Sequence, residues 1–292
     1  MQFLHEARHE KGVWIDIEKP FWWDVPVWLA SGQVDSIELA NNHMCRSQMY
    51  ESEAWGKPRD SSRLPPPRGN GFWSQEIYYH ILNCGLRMPP SAGSASGVLP
   101  NPVGYNRVYV YTGKDLSYDK WWQGLQAGRS FVSNGPLLRC TANGQLPGHV
   151  FTLKKEENLN VDLQIRLSMR EPVSYIEVIK DGEIAKTVGF EEWKRTGKTG
   201  ILSFNRSGWF LVRVIAENPK TFRFASTAPY YVEVGEAKRR ISRSAAQFFL
   251  DWVRERKERV NLENVSQRSE VMKHHDSAVR FWAEIVTNAN SD

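Results

Sequence analysis

The stretch His80–Leu138, HILNCGLRMPPSAGSASGVLPNPVGYNRVYVYTGKDLSYDKWWQGLQAGRSFVSNGPLL, decides how this chain is read. It parses as the end of a helix, a short strand, a Gly/Ser loop, a strand, a helix and a strand. The loop Ser91–Gly97, SAGSASG, follows the first of these strands. In parallel α/β folds, ligands and catalytic groups gather at the carboxyl ends of strands. The loop therefore marks the place for a site, yet it contains no acid, no histidine and no cysteine.

Upstream, the apolar run Val13–Ile17 reads as a short buried strand. Asp24-Val25-Pro26 opens a helix, with Asp24 as N-cap and Pro26 in the first turn. Gly32 ends that helix, and Ser36–Leu39 is the next strand. Asn41–Trp73 reads as a long loop around Pro65-Pro66-Pro67. Glu76–Cys84 is a helix stopped by Gly85. Met88–Ala92 and Arg107–Tyr111 are strands, Asp119–Ala127 a helix, and Ser130–Ser133 the last strand. This alternation predicts parallel βα units forming a partial (β/α) barrel over residues 1–135. The strands are too few to close an eight-stranded barrel.

Residues 136–235 change character. Val161, Leu163, Ile165 and Leu167 alternate with polar residues, as do Ile176 and Val178. Asn143-Gly144 and Asp181-Gly182 are hairpin-turn signals. Trp209–Ile215 and Tyr230–Val234 read as further strands. The pattern predicts an antiparallel β-sandwich. Residues 236–292 carry two apolar stripes at helical spacing: Ala245, Phe248, Phe249, Trp252 and Val253, then Ala278, Phe281, Trp282, Ile285 and Val286. They predict a C-terminal helical hairpin packed on the rest. The fold class expected is thus α/β plus all-β.

The chain has 292 residues, 12 Trp, three Cys and a net charge of +5. Such a length suits one large or two modest domains. The tryptophans, crowded between Trp14 and Trp73, argue first for a large core and second for an apolar or carbohydrate-binding cleft. The basic excess is densest in Lys238–Arg259, with eight Lys/Arg against three acids. It reads as a solvated helix face, because no nucleic-acid-binding module accompanies it. Cys45, Cys84 and Cys140 are far apart and form no CxxC pair, which excludes a cysteine zinc site by spacing. No apolar run is long enough for a membrane span, and MQFLHEARHEKGVW has no signal-peptide core. A cytoplasmic location is expected as read, or export if the natural chain begins upstream with a signal peptide. His5–Lys11 reads as the tail of a helix running straight into a strand, so upstream sequence is expected to belong to the domain.

Candidate chemistry collects at the strand ends. Asp16 and Glu18 flank the first strand; Glu38, Asn41, Asn42 and His43 end the second. His43, Glu18 and Asn42 offer nitrogen and oxygen ligands for a divalent metal (Zn, Mn or Fe), which would polarise a carbonyl or phosphoryl group and acidify bound water. No diagnostic spacing such as HxH or HExxH accompanies them. The competing reading has His43 bonded to the long loop and Glu18 paired with a base. Ser94 and Ser96 are candidate ligand-binding or nucleophilic groups, but Ala95 stands where a nucleophile elbow needs serine. Trp22, Trp23 and Tyr105 are candidate walls of a ligand cleft. His5 and His9 stand one helical turn apart and read as surface residues. His274-His275 read as interfacial residues.

The segments GLQAGRSFVSNGPLL (124–138), DIEKPFWWDVPVWLASGQVDSIELANNH (16–43) and SGWFLVRVIAENPKTFRFASTAPYYVEV (207–234) resemble the CehA/McbA branch of the PHP (polymerase and histidinol phosphatase) superfamily. The junction resembles that group's GRSFxTNGPLL, and the likeness covers nearly the whole chain. It implies a distorted (β/α) barrel with metal ions at the strand ends, hydrolysing ester, carbamate or phosphoester bonds. Two departures matter. The family's HxH motif belongs upstream of Asp16 and is absent. Its late Gly-Ser/Thr-Asp-x-His motif falls on Gly93–Gly97, where Ala95 replaces the Asp and Gly97 the His. Three functions therefore compete: a metallohydrolase of weak or no activity, a catalytically degenerate ligand- or carbohydrate-binding scaffold, and an assembly module that forms a homo-oligomer. The partner expected is a small-molecule substrate or ligand, not nucleic acid.

Overall fold

A computed structural model of the chain describes residues 1–236 and 239–292. Lys238, where the basic run begins, lies outside them, as does Ala237. In chain order the first part comprises α1 (Gln2–His9), β1 (Asp16–Ile17), α2 (Val25–Ala30), β2 (Ser36–Ala40), α3 (Gly69–Asn83), β3 (Pro90–Ala92), β4 (Arg107–Val110), α4 (Tyr118–Gln126) and β5 (Ser130–Ser133). Then follow β6 (Leu137–Ala142), β7 (Val150–Leu153), β8 (Leu159–Val161), β9 (Leu163–Ser168), β10 (Val173–Lys180), β11 (Glu183–Gly189), α5 (Phe190–Thr196), β12 (Leu202–Phe204), β13 (Gly208–Ala216), β14 (Phe224–Thr227) and β15 (Tyr230–Val234). The chain ends with α6 (Arg243–Glu258) and α7 (Val265–Thr287). The described residues thus form a mixed α/β fold with several sheets.

Of the expected barrel strands, β1, β2 and β3 pair in parallel, as a three-stranded open sheet. No closed barrel exists among the described residues. The expectation that the two following strands extend the parallel set does not hold. β4 and β5 pair antiparallel with each other, and β5 pairs antiparallel with β14. The cause is local. Gly124 of α4 packs directly on Val110, and the Tyr111 amide donates to the Arg129 carbonyl at 2.8 Å. The segment after β4 is thereby folded back on its own strand end, instead of crossing the sheet.

The long loop is also shorter than its sequence suggests. α3 begins at Gly69, not near Ser74. Gly71 lies against the Phe222 ring, where a Cβ would overlap ring atoms. Residues that read as loop formers are here close-packing residues of a helix.

β13 explains how the layers stack. All nine of its residues are buried. Trp209, Leu211 and Ile215 enter one core, and Phe210, Val212 and Val214 the other, as the two-residue period of a strand requires. The first core also holds α3, α6 and α7 side chains and those of the parallel sheet. The second is closed by the pairs β6–β9 and β8–β12, compatible with the expected β-sandwich. Asp181-Gly182, both at positive φ, turn β10 into β11. Asn143-Gly144 also turn at positive φ, but β6 takes β9 as its ladder partner.

One ion pair lies between the large sheet and α3. Arg213 Nη2 is 2.6 Å from Glu177 Oε2, and Arg213 also donates to Gln75 and Tyr79. The C-terminal helices form the expected hairpin. Phe249 and Trp282 stack at 4.6 Å, and Trp282 Nε1 donates to the Pro26 carbonyl at 2.9 Å. No helix of the described residues is long and apolar enough to cross a membrane.

Candidate functional site

The parallel sheet places its polar residues by register. Asp16 is opposite Ser36, and Glu38 opposite Ser91. Ser36 and Glu38 are two apart, so they share a face. Asp16 Oδ1 accepts from the hydroxyls of Ser36 and Ser91, the latter at 2.5 Å. Trp14 Nε1 donates to Ser36 Oγ at 2.7 Å, which extends the network behind Asp16.

Glu38 is the group of greatest chemical interest. The residue is 8% exposed, and its Oε2 makes no hydrogen bond. Burial foremost, then the negative charges of Asp16 and Glu18, push its carboxyl up to about 9; Lys19 opposes this. Glu38 therefore carries a proton at neutral pH. Burial also raises Asp16, against the lowering effect of its two hydroxyl donors. Gly93 covers the Glu38 carboxyl, where a Cβ would overlap it.

Glu18 and Asn42 are brought together: Asn42 Nδ2 donates to Glu18 Oε1 at 3.1 Å. The same Glu18 oxygen pairs with Lys19 Nζ at 3.2 Å. Asn42 Oδ1 is buried without a hydrogen bond. Lys19 Nζ sits 4.5 Å from the centre of the Trp22 ring, so Trp22 borders this cluster. His43 stands apart. Its Nδ1 faces the Tyr50 carbonyl at 3.3 Å, and its ring packs edge-on to Phe21 and Tyr50. Burial foremost, then Lys19, lowers its pKa to about 4. It is a neutral residue anchoring the loop.

The other candidates disperse. Ser94 Oγ accepts from the Asn106 amide at 2.9 Å, which fixes the Gly/Ser loop. Ser96 is exposed. Trp23 lies beneath Arg259, 4.5 Å from its guanidinium, and Tyr105 lies 5.6 Å from that of Arg223. Trp22, Trp23 and Tyr105 therefore pack against three different cations.

Asn101 and Asn106 are the residues that the sequence did not single out. Asn106 Nδ2 donates to the carbonyls of Asn41 and Gly93, at 2.9 and 3.0 Å. Asn101 Nδ2 reaches those of Asn42 and Ser94, each at 3.3 Å. Together they staple the loop to the end of β2. Two asparagines bracketing Pro102-Val103-Gly104-Tyr105 were the one available signal, and that pattern is common in turns.

A resident metal is tested by the state of these donors. Asp16 is capped by two hydroxyls, Glu18 is held by Lys19 and Asn42, and His43 is turned to a backbone carbonyl. No group of three or more His, Cys, Asp or Glu among the described residues is arranged to hold a metal ion. Comparison with known proteins gave no match to a family model, a curated protein or a solved structure.

Proposed function

We propose that the chain is a catalytically degenerate, ligand-binding relative of strand-end metallohydrolases. The observation that carries this reading is Glu38, a buried acid whose Oε2 makes no hydrogen bond, beside side chains already committed to protein partners. The resemblance supports it, because the positions where that family carries Asp and His are Ala95 and Gly97. A protonated Glu38 offers an O–H donor, and Asn42 Oδ1 an acceptor. Lys19 and Trp22 border them with a cation and an aromatic face. Such a set suits a small neutral hydroxylated ligand, carbohydrate-like in chemistry. Metal-supported hydrolysis of an ester, carbamate or phosphoester is the competing function, and the two unpartnered oxygens of Glu38 and Asn42 favour it.

The test takes the purified chain through elemental analysis, p-nitrophenyl acetate and bis-p-nitrophenyl phosphate hydrolysis, and saturation-transfer NMR with neutral saccharides. The expected result is metal well below stoichiometry, background hydrolysis, and saccharide signals lost in Trp22→Ala. Stoichiometric metal with turnover, both lost in Glu38→Ala, would overturn the proposal in favour of hydrolysis.

A further inference from the structure

We infer that a pocket between α2 and the α6–α7 hairpin, apart from the strand-end cluster, binds a small organic anion with a flat apolar body. The cavity has a volume of about 410 Å³, within the range of pockets that take small-molecule ligands. Val27, Trp28 and Val271 supply apolar lining, and Asp24, Arg256, Arg259 and His275 are among the polar lining.

Charge gives the sign of the ligand. Asp24 accepts from Arg256 at 2.8 and 3.4 Å. Glu255 accepts from Lys57 at 2.6 Å and from Arg259 at 2.8 Å. Lys57, Arg256 and Arg259 thus share two carboxylates, and one positive charge of the network is left over. Arg259 spends two donors on Glu255. A guanidinium has five, in the planar fork that matches carboxylate or phosphate.

His275 adds a second observation on the same lining. His275 is 3% exposed and lines the pocket, with Nδ1 2.9 Å from the Val271 carbonyl. Its Nε2 makes no hydrogen bond and stands 3.6 Å from Asp24 Oδ1. With Nδ1 donating to a carbonyl, Nε2 of the neutral ring is an acceptor, which a water or an O–H of a ligand would satisfy. The Trp28 indole on the same lining offers an aromatic face to an apolar body.

The experiment is a ¹H–¹⁵N NMR titration of the full chain with phenyl phosphate and with benzoate. Inorganic phosphate and phenol are run as the head-only and body-only arms. The expected result is saturable shifts at the Trp28 indole and around His275 with at least one aromatic anion, whose preference identifies a phosphate or carboxylate head. Each half alone binds at least about tenfold more weakly. Arg259→Met, at an exposed side chain with its packing stem kept, weakens binding at least about tenfold while circular dichroism is unchanged. Val271→Trp fills the cavity without altering charge and removes binding. Absence of saturable shifts with both aromatic anions, or wild-type affinity in Arg259→Met, would refute the site.

Discussion

The backbone of Gly93 lies so close to the Glu38 carboxyl that no other residue fits at position 93 without displacing it. The contact joins β2 to the loop after β3, and the Gly93 amide donates to the Ala40 carbonyl at 3.0 Å. Gly93→Ala should therefore cost about 1–3 kcal/mol, as overpacking of a closed site does. Urea denaturation measures it, and wild-type stability in the variant would show that Glu38 moves aside freely.

The proton on Glu38 makes stability pH-dependent. The folded pKa, about 9, exceeds the ordinary glutamate value, so the folded state holds a proton that the unfolded state has lost. That stability is complete below about pH 4.5 and is lost as pH rises towards 9. Asp16, also raised, adds to the same slope. Glu38→Gln keeps the shape and removes the ionisation. By pH 9 it should be more stable than wild type by about 2 kcal/mol, with little difference at pH 5. Melting curves across that range decide the matter.

His43 has the opposite dependence. Its folded pKa, about 4, is below the ordinary histidine value, so stability is present above about pH 6.5 and falls as pH drops towards 4. His80, likewise lowered to about 4 by burial, contributes equally in sign. His43→Gln should flatten this acid slope by about 1–3 kcal/mol and leave the part due to His80. NMR titration should show no protonation of either ring above pH 5.

Arg213 and Glu177 are a buried pair, and their removal should be unequal. Arg213→Met leaves Glu177 unpaired and should cost about 3–5 kcal/mol. Arg213→Met with Glu177→Leu should recover much of that loss. A double-mutant cycle by denaturant titration measures the coupling, and additive losses would place the cost elsewhere.

Trp282 separates packing from hydrogen bonding in the helical hairpin. Trp282→Phe keeps most of the stack on Phe249 but leaves the Pro26 carbonyl without its donor, at about 1–2 kcal/mol. Trp282→Ala adds a cavity and should cost about 3–5 kcal/mol. Thermal denaturation of the two variants resolves the two contributions.

By itself the sequence determined the local elements. The Asp181-Gly182 turn, the alternation along β9 and the apolar stripes of α6 and α7 lie where their periods place them, because they depend on neighbours a few residues away. It also placed Asp16, Glu18, Glu38, Asn42 and Ser91 near strand ends. Only the tertiary structure decided that β4 and β5 join the large antiparallel sheet, because that rests on Gly124 meeting Val110 and on β5 pairing with β14. It likewise began α3 at Gly69, which packs against the Leu64 carbonyl and Arg59, with Gly71 against Phe222 one half-turn on. The site divides in the same way. Residue type identified the acids, but the proton on Glu38, the inward turn of His43 and the asparagine staples follow from burial and from partners far along the chain. Charge and hydrogen bonding in a desolvated cluster depend on distance in space, and sequence spacing does not encode that distance.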